Sequence, residues 1–505
     1  MRRIGGGSEA LYLNGYRQIF KSTALIGGTQ VVKILIGVIR TKVLAVLLGP
    51  SGIGLEGMYQ AATSLVGTLT GFGIGNSGVR QIAEAVGTED RRTITRTVRT
   101  LRFTSLVSGL LGMVLVLVLC VPLTKATFGN ETYIFGVALM SLTLLFNSVS
   151  TGQTALLQGM RRLKDLATCE VLGALFGTIA GIIFIYIWGV RGVAPYLVAV
   201  SAFTILASWW YAKKVKVEVV RMSLKEVSAE VRSLLGMGAA FMTSGLLVAG
   251  VAYVTRVLIS RHLGMDAVGL YGATWTLSTV YVGIILNAMG ADFYPRLTAV
   301  ADDNKMVNLL VNEQTEMGVL MAIPGVLGTL TLAPWVLRVF YSPAFAPAVV
   351  IIRWQLLGIA LRVVGWPMGF VQIAKGMPRL FMLTQVVFSA VQVGLLFFCL
   401  RLWGLEGIGI SYLIMYVFHT LAIFGVCRSI SGFSWSRRSL LVIACSIVAT
   451  ISVLLTVRFL PLLEATIVGL TITSAVSVIS MISLQKLLDI DIRRMIALKF
   501  GRTRS

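Results

Sequence analysis

The sequence predicts an all-α integral membrane protein with about fourteen transmembrane helices. Three observations lead there. The chain is 56% hydrophobic and only 13% charged, where a soluble domain carries roughly 25% charged residues. Apolar runs of about 20 residues, the length that crosses a bilayer, recur along the whole chain. The 44 Lys and Arg far outnumber the 21 Asp and Glu, and they gather between alternate pairs of runs. These features exclude a soluble enzyme, a disordered chain and a basic nucleic-acid-binding domain, which would be far more polar.

In chain order the runs lie near residues 22–48, 53–79, 103–124, 132–157, 167–189, 192–211, 237–262, 267–292, 317–341, 346–373, 380–402, 405–427, 439–457 and 462–484. With the N-terminus in the cytoplasm, the inner segments hold Arg80 through Arg102, Arg161–Lys164, Lys213–Arg232 and the basic tail. The outer loops hold only Lys125, Arg191, Arg261, Arg401 and Arg458. Positive charge stays inside, so both termini are expected to be cytoplasmic. The polar, Gly-rich start shows no short apolar core with a cleavage site, so no cleavable signal peptide is expected. Cys120, Cys169, Cys399, Cys427 and Cys445 form no CxxC pair, and neither a metal site nor a disulfide framework is indicated.

An internal duplication orders these elements. Leu48–Gly57 reads against Leu263–Gly272 at an offset of 215, and Trp188–Gly192 against Trp403–Gly407 at the same offset. Gly159–Leu163 reads against Gly376–Leu380 at 217, a two-residue slip. Each repeat therefore holds six spans and enters the membrane the same way round. The expected organisation is an N-lobe at 1–212 with the first six spans, a cytoplasmic amphipathic linker at 213–236, a C-lobe at 237–428 with the next six, and the last two spans with a basic cytoplasmic tail at 429–505. Parallel repeats of this kind place a substrate site at their interface.

Seven cations fall inside the spans: Lys33, Arg40, Lys42, Arg256, Arg338, Arg353 and Arg362. Each costs roughly 2.5–3.5 kcal/mol at a helix centre, and the acids available to pair with them are only Glu56, Glu170 and Asp292. A structural bundle gains nothing from that surplus, whereas a cavity for an anionic substrate does. Lys42, Arg338 and Arg353 lie near the outer interface, where a long side chain can snorkel to water. Lys33, Arg40, Arg256 and Arg362 are the expected substrate-binding cations of a lumen. Lys33 and Arg40, seven apart, share a helix face, and Arg40 and Arg256 fall one position apart under the 215 offset. Glu56, Glu170 and Asp292 are the candidates for ion coupling. Gly71–Gly75 lacks the strand and the Lys of a phosphate loop and reads as close packing or a break in the second span. His419 reads as a packed polar residue. Pro324, Pro334, Pro343 and Pro347 suggest kinks around the ninth and tenth spans. No ATP-binding motif and no cofactor signature occur.

The run Lys33–Lys42, then Leu48–Leu55, then Gly71–Gly78, together with Asp292–Leu297, resembles the Wzx-type translocases of O-antigen and enterobacterial common antigen, members of the MOP exporter superfamily. The resemblance implies a MATE/MOP-like, V-shaped pair of lobes working by alternating access. It implies a flippase for undecaprenyl-pyrophosphate-linked oligosaccharide, moving it from the inner to the outer leaflet of the bacterial plasma membrane during lipopolysaccharide O-antigen synthesis. The pyrophosphate would be met by the lumen cations. Membrane lipids, a polysaccharide polymerase and a chain-length regulator are the implied partners, and nucleic acid is not. A lipid II flippase of the same superfamily has the same general features. A multidrug or cation antiporter would want acidic cavity residues instead. A polysaccharide polymerase or ligase would need a large external loop and a catalytic cluster, so the chain is read as a transporter and not an enzyme.

Overall fold

The computed structural model describes residues 6–88, 90–215 and 224–488. Among these, thirteen α-helices follow one another: α1 (Gly6–Gly71), α2 (Ile74–Gly87), α3 (Arg91–Val118), α4 (Cys120–Phe128), α5 (Ile134–Gly159), α6 (Leu163–Trp188), α7 (Val193–Ala212), α8 (Leu224–Ala299), α9 (Asn304–Phe340), α10 (Ala348–Ala374), α11 (Pro378–Ser431), α12 (Arg437–Phe459) and α13 (Leu462–Leu488). All fourteen expected spans fall on helical segments. Nine helical stretches among the described residues have the length and composition to cross a membrane. Three of them, Leu163–Ala212, Met242–Ala299 and Pro378–Ser431, run for 50, 58 and 54 residues. At 1.5 Å per residue each is long enough for two crossings. The helix α1 is not one of the nine: Lys33, Arg40 and Lys42 interrupt its first half, and Ser, Thr, Gln and Gly crowd its second.

Large apolar side chains such as Phe135, Tyr186, Leu402 and Leu421 stand exposed on the helix surfaces. On a soluble protein such a surface would be an aggregation hazard; against acyl chains it is the expected exterior. The part of the expected linker at 216–223 and the tail beyond 488 lie outside the described residues, and residues 224–236 belong to α8.

The duplication is written into the backbone. Inside α1 the helix breaks at Gly49 (φ 67°), and inside α8 at Gly264 (φ 84°), 215 residues later. Gly189 (φ 55°) ends α6, and Gly404 (φ 53°) breaks α11 at the same offset. Arg161 (φ 55°) and Gly376 (φ 68°) form the third such pair. The hydrogen bonds agree. Arg161 N donates to Gln158 O at 3.0 Å and Arg162 N to Leu157 O at 2.8 Å, while Gly376 N donates to Ile373 O at 3.0 Å and Met377 N to Gln372 O at 2.9 Å. The helix α5 ends at Gly159 and α10 at Ala374. The two-residue slip expected from the Gly-Met match is therefore absent: the backbone register stays at 215, and the matching letters at 217 are coincidence.

The chain forms two compact units, Met1–Gly269 and Leu270–Ser505. In the first, the two kinked turns meet. A Cβ on Gly54 would collide with Met265 O, and one on Gly269 with Pro50 O. Both pairs are related by 215, so the contact is reciprocal between equivalent residues. Arg261 Nη2 donates to Ala126 O at 3.0 Å, a cation at the carbonyl end of α4, where the helix dipole favours it. Gly71-Phe72-Gly73 breaks the second span as expected, with Phe72 and Gly73 at positive φ. Its glycine also permits close packing, because a Cβ on Gly73 would strike the backbone of Gly238.

In the second unit, Phe293, Met368, Val371, Phe388 and Cys427 anchor an apolar core. The helix α9 runs through Pro324 and Pro334 as one element. The break before α10 is made instead by the 3-10 turn Pro343–Phe345 and by Pro347 at the α10 N-cap.

Candidate functional site

In the first unit Arg40, Glu56 and Arg256 lie about the second half of α1, and Lys33 and Glu170 form a separate pair. Lys33, on the first half of α1, donates from Nζ to Glu170 Oε2 on α6 at 2.9 Å, and both side chains are about a third exposed, 34% and 30%. Arg40 lies two turns further along the same face. Its Nε is buried without a hydrogen-bond partner, and no carboxylate among the described residues comes within salt-bridge distance of it.

Beyond the Gly49 kink comes Glu56. Tyr196 Oη donates to Glu56 Oε1 at 3.1 Å and Gln60 Nε2 at 2.9 Å. Tyr196 reaches it from α7 because Gly181 on α6 leaves space for the ring; any Cβ there would overlap it. Arg40 is the cation whose field Glu56 feels. Arg256, on α8, lies against the next residue: a Cβ on Gly57 would be 3.5 Å from its Nε, and its Nη1 donates to Ala252 O at 3.0 Å. Arg40 and Arg256, near-equivalents under the repeat, thus flank Glu56-Gly57. Arg40 acts on Glu56 and Arg256 packs beside Gly57, so both cations lie near this stretch of α1.

Arg362 belongs to the second unit and is built differently. On α10, Gly358 and Gly365 are seven apart and share a face with Arg362 between them. A Cβ on Gly358 would crowd Tyr412 at 2.7 Å, and one on Gly365 would lie 3.2 Å from His419 Nδ1. These small residues let α11 lay Tyr412, Tyr416 and His419 beside the guanidinium. The rings form a column, Tyr412–Tyr416 at 4.8 Å and Tyr416–His419 at 5.5 Å between centroids. Tyr412 and Tyr416 are the electrostatic partners of Arg362, and no carboxylate among the described residues forms an ion pair with it. His419 is a packed polar residue, its ring 4.5 Å from that of Phe388.

Asp292 stands apart from these groups. It is 71% exposed and accepts from Arg296 Nη1 at 3.1 Å, an i,i+4 surface pair. Lys42 is half-buried and Arg338 exposed, and Arg353 feels the like charge of Arg458.

Two features went unseen in the sequence. One is Glu316 on α9, 7% exposed, which accepts from Ser439 Oγ at 2.7 Å and pairs with Arg438 Nε at 3.2 Å. With Asn308 and Asn312 it forms an i, i+4, i+8 stripe that fastens α9 to the segment before α12. Asn312 Oδ1, for example, accepts from Ser436 N at 2.8 Å. The other is a cavity of about 510 Å³ in the first unit, walled by α1, the start of α2, α3, α5 and Met242 of α8. No charged residue lines it. Its signal was a row of polar residues at helical spacing, Gln60, Ser64 and Thr68 on one span and Asn147 and Thr151 on another. Among the described residues no cluster of His, Cys, Asp or Glu could hold a metal ion.

Known proteins place this architecture. The lipid III flippase of Escherichia coli (strain K12) is 24% identical over 432 residues, covering 83% of this chain and 99% of that protein. The structure of lipid II flippase MurJ in an inward closed conformation matches with a TM-score of 0.64 at 15% identity, covering 92% of this chain and 100% of that one. An inward-facing multidrug resistance MATE family transporter of the MOP superfamily matches with a TM-score of 0.63 at 17% identity, over 80% and 96% of the two chains. These likenesses establish an all-α membrane-transporter fold of the MOP type. The description "Polysaccharide biosynthesis protein" matches residues 19–301, more than half of the chain, and the chain belongs to that family.

Proposed function

We propose that this protein is a flippase for a polyprenyl-pyrophosphate-linked oligosaccharide, an O-antigen-type repeat unit carried from the inner to the outer leaflet of the bacterial plasma membrane. It acts as a transporter rather than an enzyme. The observation that carries the reading is the placing of Arg40, which forms no ion pair among the described residues, beside Glu56, and of Arg256 beside the adjacent Gly57. A pyrophosphate suits such a site, because arginine offers it two parallel donors. Lys33 in the first unit and Arg362 in the second are further candidate substrate-binding cations. Membership of a polysaccharide biosynthesis family and similarity to a lipid III flippase support a lipid-linked glycan as cargo. For ion coupling Glu56 is the best-placed carboxylate, because Glu170 and Asp292 each form a direct ion pair, whereas Glu56 is held by the neutral donors Tyr196 and Gln60. A polymerase and a chain-length regulator are the partners that would receive the flipped unit.

The test is translocation in proteoliposomes of a lipid-linked oligosaccharide with a fluorescent sugar, read by quenching from outside. Wild-type protein is expected to expose the inner pool, and Arg40→Gln with Arg256→Gln to abolish this at unchanged protein content. A double variant that flips at the wild-type rate overturns the role of these cations. A wild-type protein that flips lipid II and not the oligosaccharide assigns the chain to peptidoglycan synthesis instead.

A further inference from the structure

The cations account for the charged end of a lipid-linked glycan and leave its sugars without a place. The 510 Å³ cavity of the first unit is within the size of small-molecule sites, about 300–1,000 Å³. Its lining has a specific chemistry. Carboxamides, hydroxyls and glycines dominate, and no Lys, Arg, Asp or Glu contributes. Such a surface within a membrane protein is costly unless water or a polar ligand satisfies it.

Its hydrogen-bonding capacity is asymmetric. Thr63, Thr68 and Thr151 donate their hydroxyl protons to main-chain carbonyls one turn back, Thr68 at 2.7 Å and Thr151 at 2.8 Å. Ser148 does so across to Ser105 O at 2.7 Å. What these hydroxyls still present is acceptor lone pairs. An anion carries only acceptors and gains little from such a wall. Asn76 and Asn147 are exposed within the cavity and make no side-chain hydrogen bond among the described residues, so each offers a donor and an acceptor side by side. A ligand that matches must donate to the hydroxyls and both donate to and accept from the amides, without charge. A sugar hydroxyl does this.

We propose that this cavity, centred on Asn76 and Asn147, is a binding subsite for an uncharged sugar of the cargo, distinct from the Arg40–Arg256 group that takes the pyrophosphate. The proposal rests on the flippase reading above and adds where, and by what chemistry, the glycan is recognised. Gly71 offers a way to fill the site: it lines the cavity, and a Cβ there meets nothing within 4 Å. A Cβ at that position therefore has open space beside the cavity.

The experiment compares two probes on the full-length protein in lipid nanodiscs: bare polyprenyl pyrophosphate, and the same lipid bearing one N-acetylhexosamine. Two or three net hydrogen bonds predict that wild-type protein holds the glycosylated probe roughly tenfold tighter. Gly71→Leu and Asn147→Leu are expected to lose that increment and bind both probes alike, and Asn147→Gln, which keeps the amide, to retain it. Thermal unfolding checks that the variants fold. Leucine variants that keep the tenfold preference, or a wild-type protein with no preference, overturn the sugar subsite and leave the flippase reading intact. A wild-type protein that binds neither probe overturns the flippase reading itself.

Discussion

The two units hold their half-buried guanidiniums in different ways. In the first, Arg40 lies by the carboxylate of Glu56, Arg256 packs beside Gly57, and Lys33 pairs outright with Glu170 at 2.9 Å. In the second, Arg362 lies among phenol rings and a histidine, with Tyr412 only 5% exposed. Phenol dipoles stabilise a cation without cancelling its charge. Arg362 therefore keeps its full charge, while in the first unit Lys33 gives up part of its own to an internal acid. Removing a paired cation orphans a carboxylate, which is strongly unfavourable in a low-dielectric setting. Removing Arg362 orphans nothing of opposite sign.

The largest separation of function from stability is thus expected at Arg362. Arg362→Gln should lower glycan translocation by about 10- to 100-fold, the equivalent of one charged hydrogen-bonding group at about 1.5–3 kcal/mol, with no fall in thermal stability. Arg362→Lys should restore part of the rate, because the point charge remains while the paired donors are lost. A glutamine variant that unfolds early, or one that flips normally, breaks the contrast between the units.

Next in size is the reciprocal contact of the two kinked turns. Gly54 and Gly269 each lie against main chain of the other repeat, at Met265 O and Pro50 O. Side chains at both points force the backbones apart at about 1–3 kcal/mol each. Gly54→Val and Gly269→Val should lower the unfolding temperature and translocation together, and by similar amounts. Gly272→Ala is the control, since a Cβ there meets nothing within 4 Å and alanine favours the helix by about 1 kcal/mol. Unequal losses at Gly54 and Gly269 would show that the contact is not shared symmetrically.

Much of this was readable before any coordinates. Hydropathy located the helices because twenty apolar residues cannot do anything else cheaply in a bilayer. The Leu-Gly repeats announced the duplication, and the structure shows why they recur: a positive φ inside a helix selects glycine, as at Gly49 and Gly264. The near-equivalence of Arg40 and Arg256 was legible in the 215 offset, but their placing beside Glu56 and Gly57 was not. Letter matching failed where an element of identical geometry uses a different residue: Gly376 drew the eye to Gly159, whereas its structural equivalent is Arg161. Glu316 was missed because a carboxylate at the edge of an apolar run reads as solvated, and only tertiary structure brings Ser439 and Arg438 onto it. The cavity was missed for a related reason: hydropathy averages over a helix and hides a polar face such as Gln60-Ser64-Thr68.

The Lys33–Glu170 pair sharpens the electrostatic half of the comparison. Both side chains are partly exposed, so the pair itself is expected to contribute at most about 1 kcal/mol. Lys33→Met should nonetheless destabilise, because Glu170 is left facing α1 alone, and Glu170→Gln in the same chain should recover most of the loss. A double-variant cycle on thermal unfolding measures the coupling. A double variant no more stable than Lys33→Met would mean that the lysine acts through packing of its stem and not through the carboxylate.

The smallest effect isolates backbone geometry from everything else. Arg161 and Gly376 occupy the same left-handed position after α5 and α10, with the same pair of hydrogen bonds closing each helix end. A non-glycine residue there costs of order 1 kcal/mol or more, and glycine removes that cost while adding freedom to the unfolded chain. Arg161→Gly should therefore stabilise the first unit by no more than about 1 kcal/mol, and Gly376→Arg should destabilise the second by a similar amount. The reciprocal swap, both changes in one chain, should then nearly cancel, since the two loops share one geometry and lie in separate compact units. If Arg161→Gly instead loses stability, the arginine side chain at that position outweighs its strained backbone, and the two helix ends are alike in form but not in what holds them.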